Sequence, residues 1–481
     1  MRRACCIFIV LLSFCSCSRV QISGSIDASP DIFPDYKEVT VPENISPLNF
    51  SYLGEEKAVL LVGDEQIRAR KGLFKIRPSV WKSLMAKDSA EMTIAVCRDG
   101  EWMSFRPFRI FISHDKIDPY IAYRLIPPGY QGWKTMGIFQ RNLESYEQKA
   151  IVRNSQTGEN CVNCHSFASR DPSNMVFHSR ATFGGTMLFS DGILEKLDTK
   201  TDSTISALVY PYWHPSGKFI AFSVNNTKQV FLSNDPNRVE VFDAASDVVV
   251  YDVKNHCVTA SPLTKSPARF ETFPSFSPDG RWLYFCSASA VKNLPESYKN
   301  VRYGLYRIAF DAGSCSFGDS LELVYDAPAD SMSVSFPRIS PDGNFMAVTL
   351  HGYGNFSIWH KDADICLLDL RSGRMLDEAE MNSKDVESYH SWSGNSRWLI
   401  FSSRRIDGLY TRPYIAHIDA DGHASKPFLL PQKDPMKYYG SLMFSYNIPE
   451  FVSGKIEVSR HSIVSCMRKE KGKKIEYLEG N

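Results

Sequence analysis

The sequence predicts a mainly β protein: an N-terminal β-sandwich-like domain, a short helical segment and a C-terminal β-propeller of six blades. Three observations predict it. A 14-residue pattern recurs four times from residue 210 onward, each copy a strand, a tight turn and a returning strand. The first part of the chain holds short β-branched apolar runs separated by turn residues. Aromatic residues make up 12% of the chain, and glycine and proline number 28 and 26, a sheet-rich, turn-rich profile.

Bulk properties narrow the choices. The 481 residues suffice for two or three domains. A 43% hydrophobic and 23% charged composition is that of an ordinary globular protein. Basic and acidic residues number 55 and 54, so the net charge is +1, which argues against a dedicated nucleic-acid surface. Beyond residue 17, no stretch approaches the roughly 18 uninterrupted apolar residues of a membrane-crossing helix.

Residues 1–17 read as an export signal. Met1-Arg2-Arg3 is followed by an apolar run from Ala4 to Phe14 and then Cys15-Ser16-Cys17. The terminal cysteines resemble a bacterial lipobox, which implies an acylated cysteine at the mature N-terminus. The small Ser16 before it favours Cys17 over Cys15, although Phe14 replaces the usual leucine. A lipid there would hold the protein to a membrane without spanning it. Residues 18–36 carry Pro30 and Pro34 without periodicity, so a tether of little order is expected.

Residues 37–125 form the β-sandwich-like domain, with strands expected over 37–41, 58–62, 91–97 and 105–112. Gly63-Asp64 and Asp99-Gly100 supply hairpin turns. A short helix is expected over 79–84 with Ser79 as its N-cap. This domain is read as a packing module with no site of its own.

Residues 126–180 make the most specific chemical demand. Asn142 looks like the N-cap of a helix over 143–152, with Leu143, Tyr146, Ala150 and Ile151 as its apolar stripe. Cys161-Val162-Asn163-Cys164-His165 then has the C-x-x-C-H spacing of a c-type haem attachment site. On a helical turn the two thiols would share one face and bond one porphyrin, with His165 as the proximal iron ligand. Zinc would need two further ligands, and no second C-x-x-C or H-x-x-x-H is present. His178 is a candidate distal ligand, with Met175 and Met187 as alternatives. One haem c is therefore the expected cofactor.

From 181 to 481 the repeats take over. The copies begin at Tyr210-Pro-Tyr-Trp, Phe273-Pro-Ser-Phe, Phe336-Pro-Arg-Ile and Tyr389-His-Ser-Trp. Their turn prolines stand at 215, 278 and 341, with Gly394 in the fourth. Proline fixes φ for the turn and Asp-Gly completes the reversal. Third strands are expected at 247–252, 304–309, 364–369 and 413–418. A worn copy is expected near Thr182–Ser190, and 439–446 with 455–458 is expected to close the ring with an outer strand. The stretches 225–238 and 291–302 are polar insertions suited to a rim or a cover, or to solvated decoration. The basic run 468–474 reads as a solvated end.

The Phe/Tyr-Pro-x-Trp/Phe-Ser-Pro-Asp-Gly pattern resembles the WD40-like PD40 repeats of TolB-type propellers. The whole arrangement resembles exported bacterial lipoproteins that carry one haem motif before such a propeller. The resemblance implies the fold, and it implies no reaction, since propellers host many unrelated functions.

Eight cysteines follow the signal region. Six remain once haem takes two, and Cys286 and Cys366 sit in strand-like runs that suit buried single thiols. Gly318-Asp-Ser-Leu321 spells a hydrolase signature but precedes a strand, so it is read as a turn. No G-x-S-x-G occurs. His351-Gly-Tyr-Gly354 is read as a structural turn beside the propeller channel.

The expectation is thus an exported lipoprotein, facing the periplasm or the cell surface, that touches the membrane through its lipid alone. It would carry out electron transfer or redox sensing, with the propeller recognising a protein partner. Two alternatives stay open: a non-enzymatic propeller scaffold for protein or glycan, and a haem enzyme of the peroxidase type. An electron carrier or binding protein is expected before an enzyme.

Overall fold

The computed structural model describes residues 19–127, 135–158, 160–376 and 379–479. The signal region and Cys17 lie outside them. The chain is mainly β, with three α-helices among the described residues.

Six sheets share one plan, and we number them 1–6 along the chain. Sheet 1 comprises Val162–Phe167, Met175–Ser179, Gly185–Ser190 and Ile193–Asp198. Sheet 2 comprises Val209–Trp213, Phe219–Phe231, Val239–Asp252 and Cys257–Thr259. Sheet 3 runs from Arg269–Phe276 to Ser316–Tyr325, sheet 4 from Ser333–Ile339 to Arg374–Leu376, and sheet 5 from Glu387–Trp392 to Phe428–Leu429. Sheet 6 joins the two ends of the chain: Ser445–Val452 pairs with Tyr120–Ile126, followed by Gly137–Asn142 and Gln148–Arg153. Within each sheet these strands are antiparallel neighbours in order. Lys473–Lys474 and Glu476–Tyr477 add parallel edges to sheets 1 and 2.

The recurring turn has a physical reason. Ser277, Ser340 and Ser393 each accept the N–H of Trp282, Phe345 and Trp398 at 3.0 Å. Each hydroxyl then donates to Asp279, Asp342 or Asn395 at 2.5–2.6 Å. One serine and one acid or amide thus close the reversal that Pro and Gly permit. The second strands are buried along nearly their whole length, as in Trp282–Ser289, because neighbouring sheets cover both faces.

Several expectations change here. The stretch expected to be helical over 143–152 is strand: Gln148–Arg153 pairs with Gly137–Asn142, and β-branched Ile151 and Val152 are buried in the sheet. The C-x-x-C-H segment is strand as well, not a helical haem-binding segment. The segment 439–446 does not supply an outer strand, since Ser445–Val452 is the first strand of sheet 6. The expected insertion at 225–238 extends the sheet 2 hairpin, with Phe231 paired to Val239.

The N-terminal residues form a seven-stranded sheet and a three-stranded sheet. Ala58–Val62 matches its expected bounds, and Ser89–Arg98 encloses the expected third strand. The helix spans Pro78–Leu84 and starts on its proline, with no side-chain cap from Arg77. The expected tether is ordered: Gly24–Ile26 pairs with Glu101–Phe105, and the fully buried Tyr36 donates to the Leu429 carbonyl at 3.1 Å. One apolar core runs from this unit into sheets 4, 5 and 6, uniting Phe50, Trp81 and Ile110 with Phe345, Trp398 and Tyr446.

Candidate active site

Each first strand breaks register at the same place. Cys164, Tyr210, Phe273, Phe336, Tyr389 and Ile448 all have φ between 48° and 53°, the left-handed region. The pairing shifts around each of them. Such a bulge turns the strand and re-aims the next side chains. The residue that follows is proline in four sheets (Pro211, Pro274, Pro337 and Pro449) and histidine in two (His165 and His390). Cys164-His165-Ser166-Phe167 is therefore the sheet 1 counterpart of Tyr210-Pro-Tyr-Trp.

The two histidines do equivalent work. His390 Nε2 donates to the Ala347 carbonyl at 2.9 Å, on the second strand of the preceding sheet, and the Phe336 carbonyl also faces it. The carbonyls of Ala122 and Ile448 face His165 in the same way, without closing a full hydrogen bond. Burial lowers His165 to about 4 and His390 to about 3, so both rings are neutral.

The first strands of all six sheets line one cavity of about 240 Å³. Ring packing closes its floor. Phe273 stacks on Phe336 at 4.0 Å, and Tyr210 and Tyr389 meet these two edge-on at 5.0 and 4.5 Å. The indole N–H groups of Trp213 and Trp392 donate to the Ser166 and Arg338 carbonyls at 3.3 and 2.9 Å, tying adjacent first strands together.

One carboxyl and two guanidinium groups face this space beside the two histidines. Glu450 Oε1 accepts the Phe167 N–H at 3.0 Å and lies 3.5 Å from Ser166 Oγ. Burial raises its carboxyl to about 8, against the pull of that N–H and of Arg338 and Arg170. Glu450 is half-buried because its carboxyl, deep in the molecule, faces the cavity itself. Arg338 lies over the Tyr212 ring at 4.9 Å and donates to the Pro337 carbonyl at 2.8 Å. Arg170 sits at the Gly394 turn, whose N–H donates to Asp118 at 2.6 Å.

The residues expected to hold haem do not fit it. Cys161 precedes the strand that carries Cys164, and a strand advances about 3.3 Å per residue and alternates faces, so the two thiols do not share a helical face. Cys164 is 8% exposed, wedged near the backbone of Tyr210, and burial raises its thiol. His165 is 3% exposed and held between two sheets. His178 is buried beside Thr186, 3.2 Å from Nδ1 to Oγ1, and burial lowers it to about 4. Met175 and Met187 pack in an apolar core with Phe167, Phe177 and Ile463. All eight described cysteines are free. His351, in the turn beside the expected channel, is fully buried, 4.9 Å ring to ring from His360.

Sequence reasoning missed Arg170, Arg338 and Glu450. Arg338 could have been found, since it fills the variable position of the Phe336-Pro-Arg-Ile copy. Glu450 had no such signal, because Ile448-Pro-Glu-Phe lacks both the aromatic opening and the serine turn.

No protein-family model matches the chain, and no curated protein is similar to it. Solved structures do resemble it. A candidate 6-phosphogluconolactonase from Bacteroides fragilis is 12% identical over 65% of this chain and 96% of its own, with a TM-score of 0.34. A puromycin-hydrolyzing peptidase from Mycobacterium tuberculosis is 11% identical over 72% of this chain and 52% of its own, with a TM-score of 0.38. A candidate dipeptidyl aminopeptidase IV from Bacteroides ovatus is 10% identical over 67% and 60%, with a TM-score of 0.27. The chain spans about half the length of the peptidases. These are hydrolytic enzymes. The burial of Cys164 and His165, and the strand on which Cys164 lies, correct the expectation of a haem protein for electron transfer or redox sensing. The expectation of an electron carrier and the haem-peroxidase alternative, which need the same haem, are corrected with it.

Proposed function

We propose that the six sheets are the blades of one closed β-propeller and that the chain is a hydrolase whose reaction runs in the cavity on the propeller axis. The shared bulge supports the blade reading, as do the bonds from Phe167 and Ser166 to Glu450, which join first sheet to last. One observation carries the chemical reading: a carboxyl that titrates near neutrality faces a cavity with two guanidinium groups.

Such a carboxyl can accept a proton from an attacking water and return it to the leaving atom. The water oxygen bonds to the carbonyl carbon of an ester, lactone or amide as the bond to the leaving oxygen or nitrogen breaks. Arg338 is the donor suited to the oxyanion that forms on the way, since its stacking on Tyr212 fixes it beforehand. His165 and His390 are poor bases here, because burial lowers them to about 4 and 3. We also propose export with Cys17 as the lipid-bearing residue, which mass spectrometry of the mature N-terminus tests.

The test is a screen of chromogenic esters, lactones and aminoacyl anilides at pH ~8.5, where Glu450 has given up its proton and can act as the base. Glu450→Gln is expected to lower kcat/KM by about 100-fold or more at unchanged Tm. The wild-type kcat/KM profile should bend near pH 8. Absence of turnover across the screen, or full activity in Glu450→Gln, overturns the reading.

A further inference from the structure

We infer that the axial cavity takes a small molecule bearing an anionic group, a carboxylate or a phosphate, which pairs with Arg338 and Arg170. The inference deepens the hydrolase reading and rests on the same cavity, but its test reads binding and needs no turnover.

Charge and geometry carry it. Among the described residues neither Arg170 nor Arg338 forms an ion pair within 4 Å, although the Asp118 carboxylate faces Arg170 at the Gly394 turn, whereas Arg405, also half-buried, is matched by Glu387 at 3.0 Å. A guanidinium drawn out of water without a close anion is costly, so Arg338 above all leaves this cavity short of negative charge. Glu450 does not supply it at neutral pH, because its carboxyl holds its proton. The two imidazoles carry no charge either. What remains is a space with two cations, a proton donor and a serine hydroxyl, walled by tyrosine and proline.

The guanidinium groups suit an oxyanion better than a halide. Arginine presents a planar fork of donors that matches carboxylate and phosphate oxygens pairwise. The Arg338 fork is aimed by Tyr212 beneath it and by Pro337 behind it. About 240 Å³ admits a molecule of modest size and excludes a folded peptide segment.

The test uses the full-length protein and two probes, inorganic phosphate and benzoate, followed by tryptophan fluorescence and by calorimetric titration at constant ionic strength. Trp213 and Trp392 line the cavity and report on occupancy. Saturable binding of at least one probe is expected; phosphate alone would mark a phosphorylated ligand and benzoate alone a carboxylate. Arg338→Met should weaken it about tenfold or more. Arg170→Gln is a second variant should Arg338→Met fail to fold. Arg371→Met, on the outer edge of sheet 4, should leave binding unchanged. Glu450→Gln should bind as well as wild type or better, so loss of hydrolysis with binding kept separates the two readings. No saturable binding of either probe, or equal binding by both cavity-arginine variants, overturns the inference.

Discussion

At the scale of residues, two glycines in the same motif give opposite forecasts. Gly280 and Gly343 both end a Ser-Pro-Asp-Gly turn, with φ of +73° and +77°. A Cβ at Gly343 would meet nothing within 4 Å, whereas one at Gly280 would lie 2.3 Å from His214 Nε2. That ring cannot swing away cheaply. Its Nε2 donates to the Gly280 carbonyl at 3.0 Å, and its Nδ1 lies 2.7 Å from Ser216 Oγ. Gly343→Ala is therefore expected to cost about 1 kcal/mol, the left-handed backbone strain alone. Gly280→Ala adds a clash and a broken hydrogen bond, and should cost roughly 3 kcal/mol. Urea unfolding of the two variants checks the order, and equal costs would refute this account of the sheet 2 to sheet 3 contact.

At the scale of elements, what could be read from the chain depended on whether a strand carried its own copy of the signal. Ser-Pro-Asp-Gly is local chemistry: one hydroxyl, one acid and two backbone-restricting residues make the turn wherever they occur. The hairpins of sheets 3 and 4 were legible for that reason, and Asp364–Asp369 falls where its apolar run placed it. The first-strand bulge is not local. Its residue adopts positive φ where the first strands of neighbouring sheets crowd together, so any side chain from cysteine to tyrosine serves there. Sheet 1 fills the position with Cys164 and follows it with His165, and a haem spelling arises from a packing site. Sheet 6 was hidden because its first strand and its other three lie some 300 residues apart, beyond any linear repeat. Glu450 was hidden with it.

That split sheet makes a further prediction. Ser445–Val452 supplies Phe451 and Val452 to the core, and Glu450 to the cavity. A chain ending at residue 444 should fail to fold cooperatively. A chain ending at Lys469 loses the short edges on sheets 1 and 2, the buried Ile475 and the contact of Tyr477 with Lys265. It should stay folded with a Tm lower by a few degrees and keep its cavity intact. Thermal unfolding followed by circular dichroism separates the two, and a folded 444-residue product would show that the first strand of sheet 6 is dispensable to the fold.

At the scale of the whole molecule, buried ionisable groups set how stability follows pH. Burial raises Asp243 to about 7 and Glu271 and Glu450 to about 8. Asp247 and Asp364 rise to about 6. Each binds its proton more tightly folded than unfolded, so its contribution is full below pH ~4 and is lost as pH climbs through the folded value. The buried histidines act oppositely. His165 and His178 fall to about 4 and His390 to about 3, so the unfolded chain takes up protons first, and stability rises with pH until about 6.5. Asp369, lowered to about 2 mainly by its bond from Arg371, adds a loss below pH ~4. Between pH ~4 and ~6.5 the two sets oppose each other, so stability changes less steeply there than either set alone would make it. Above ~6.5 the histidines have nothing left to give, while Asp243, Glu271 and Glu450 are still losing protons. Stability should then fall by on the order of 1 kcal/mol per pH unit up to pH ~8.5, allowing for the cavity water that Glu450 sees. Glu271→Gln should flatten this decline, since Glu271 is fully buried beside the Asp247 carboxylate and its nearest cation, on Arg269, is 4.0 Å away. Urea titrations at pH 5.5, 6.5, 7.5 and 8.5 measure the slope. Stability that holds or rises from pH 6.5 to 8.5 would mean that these carboxyls are already ionised in the folded protein, and the proton assigned to Glu450 in the cavity would go with them.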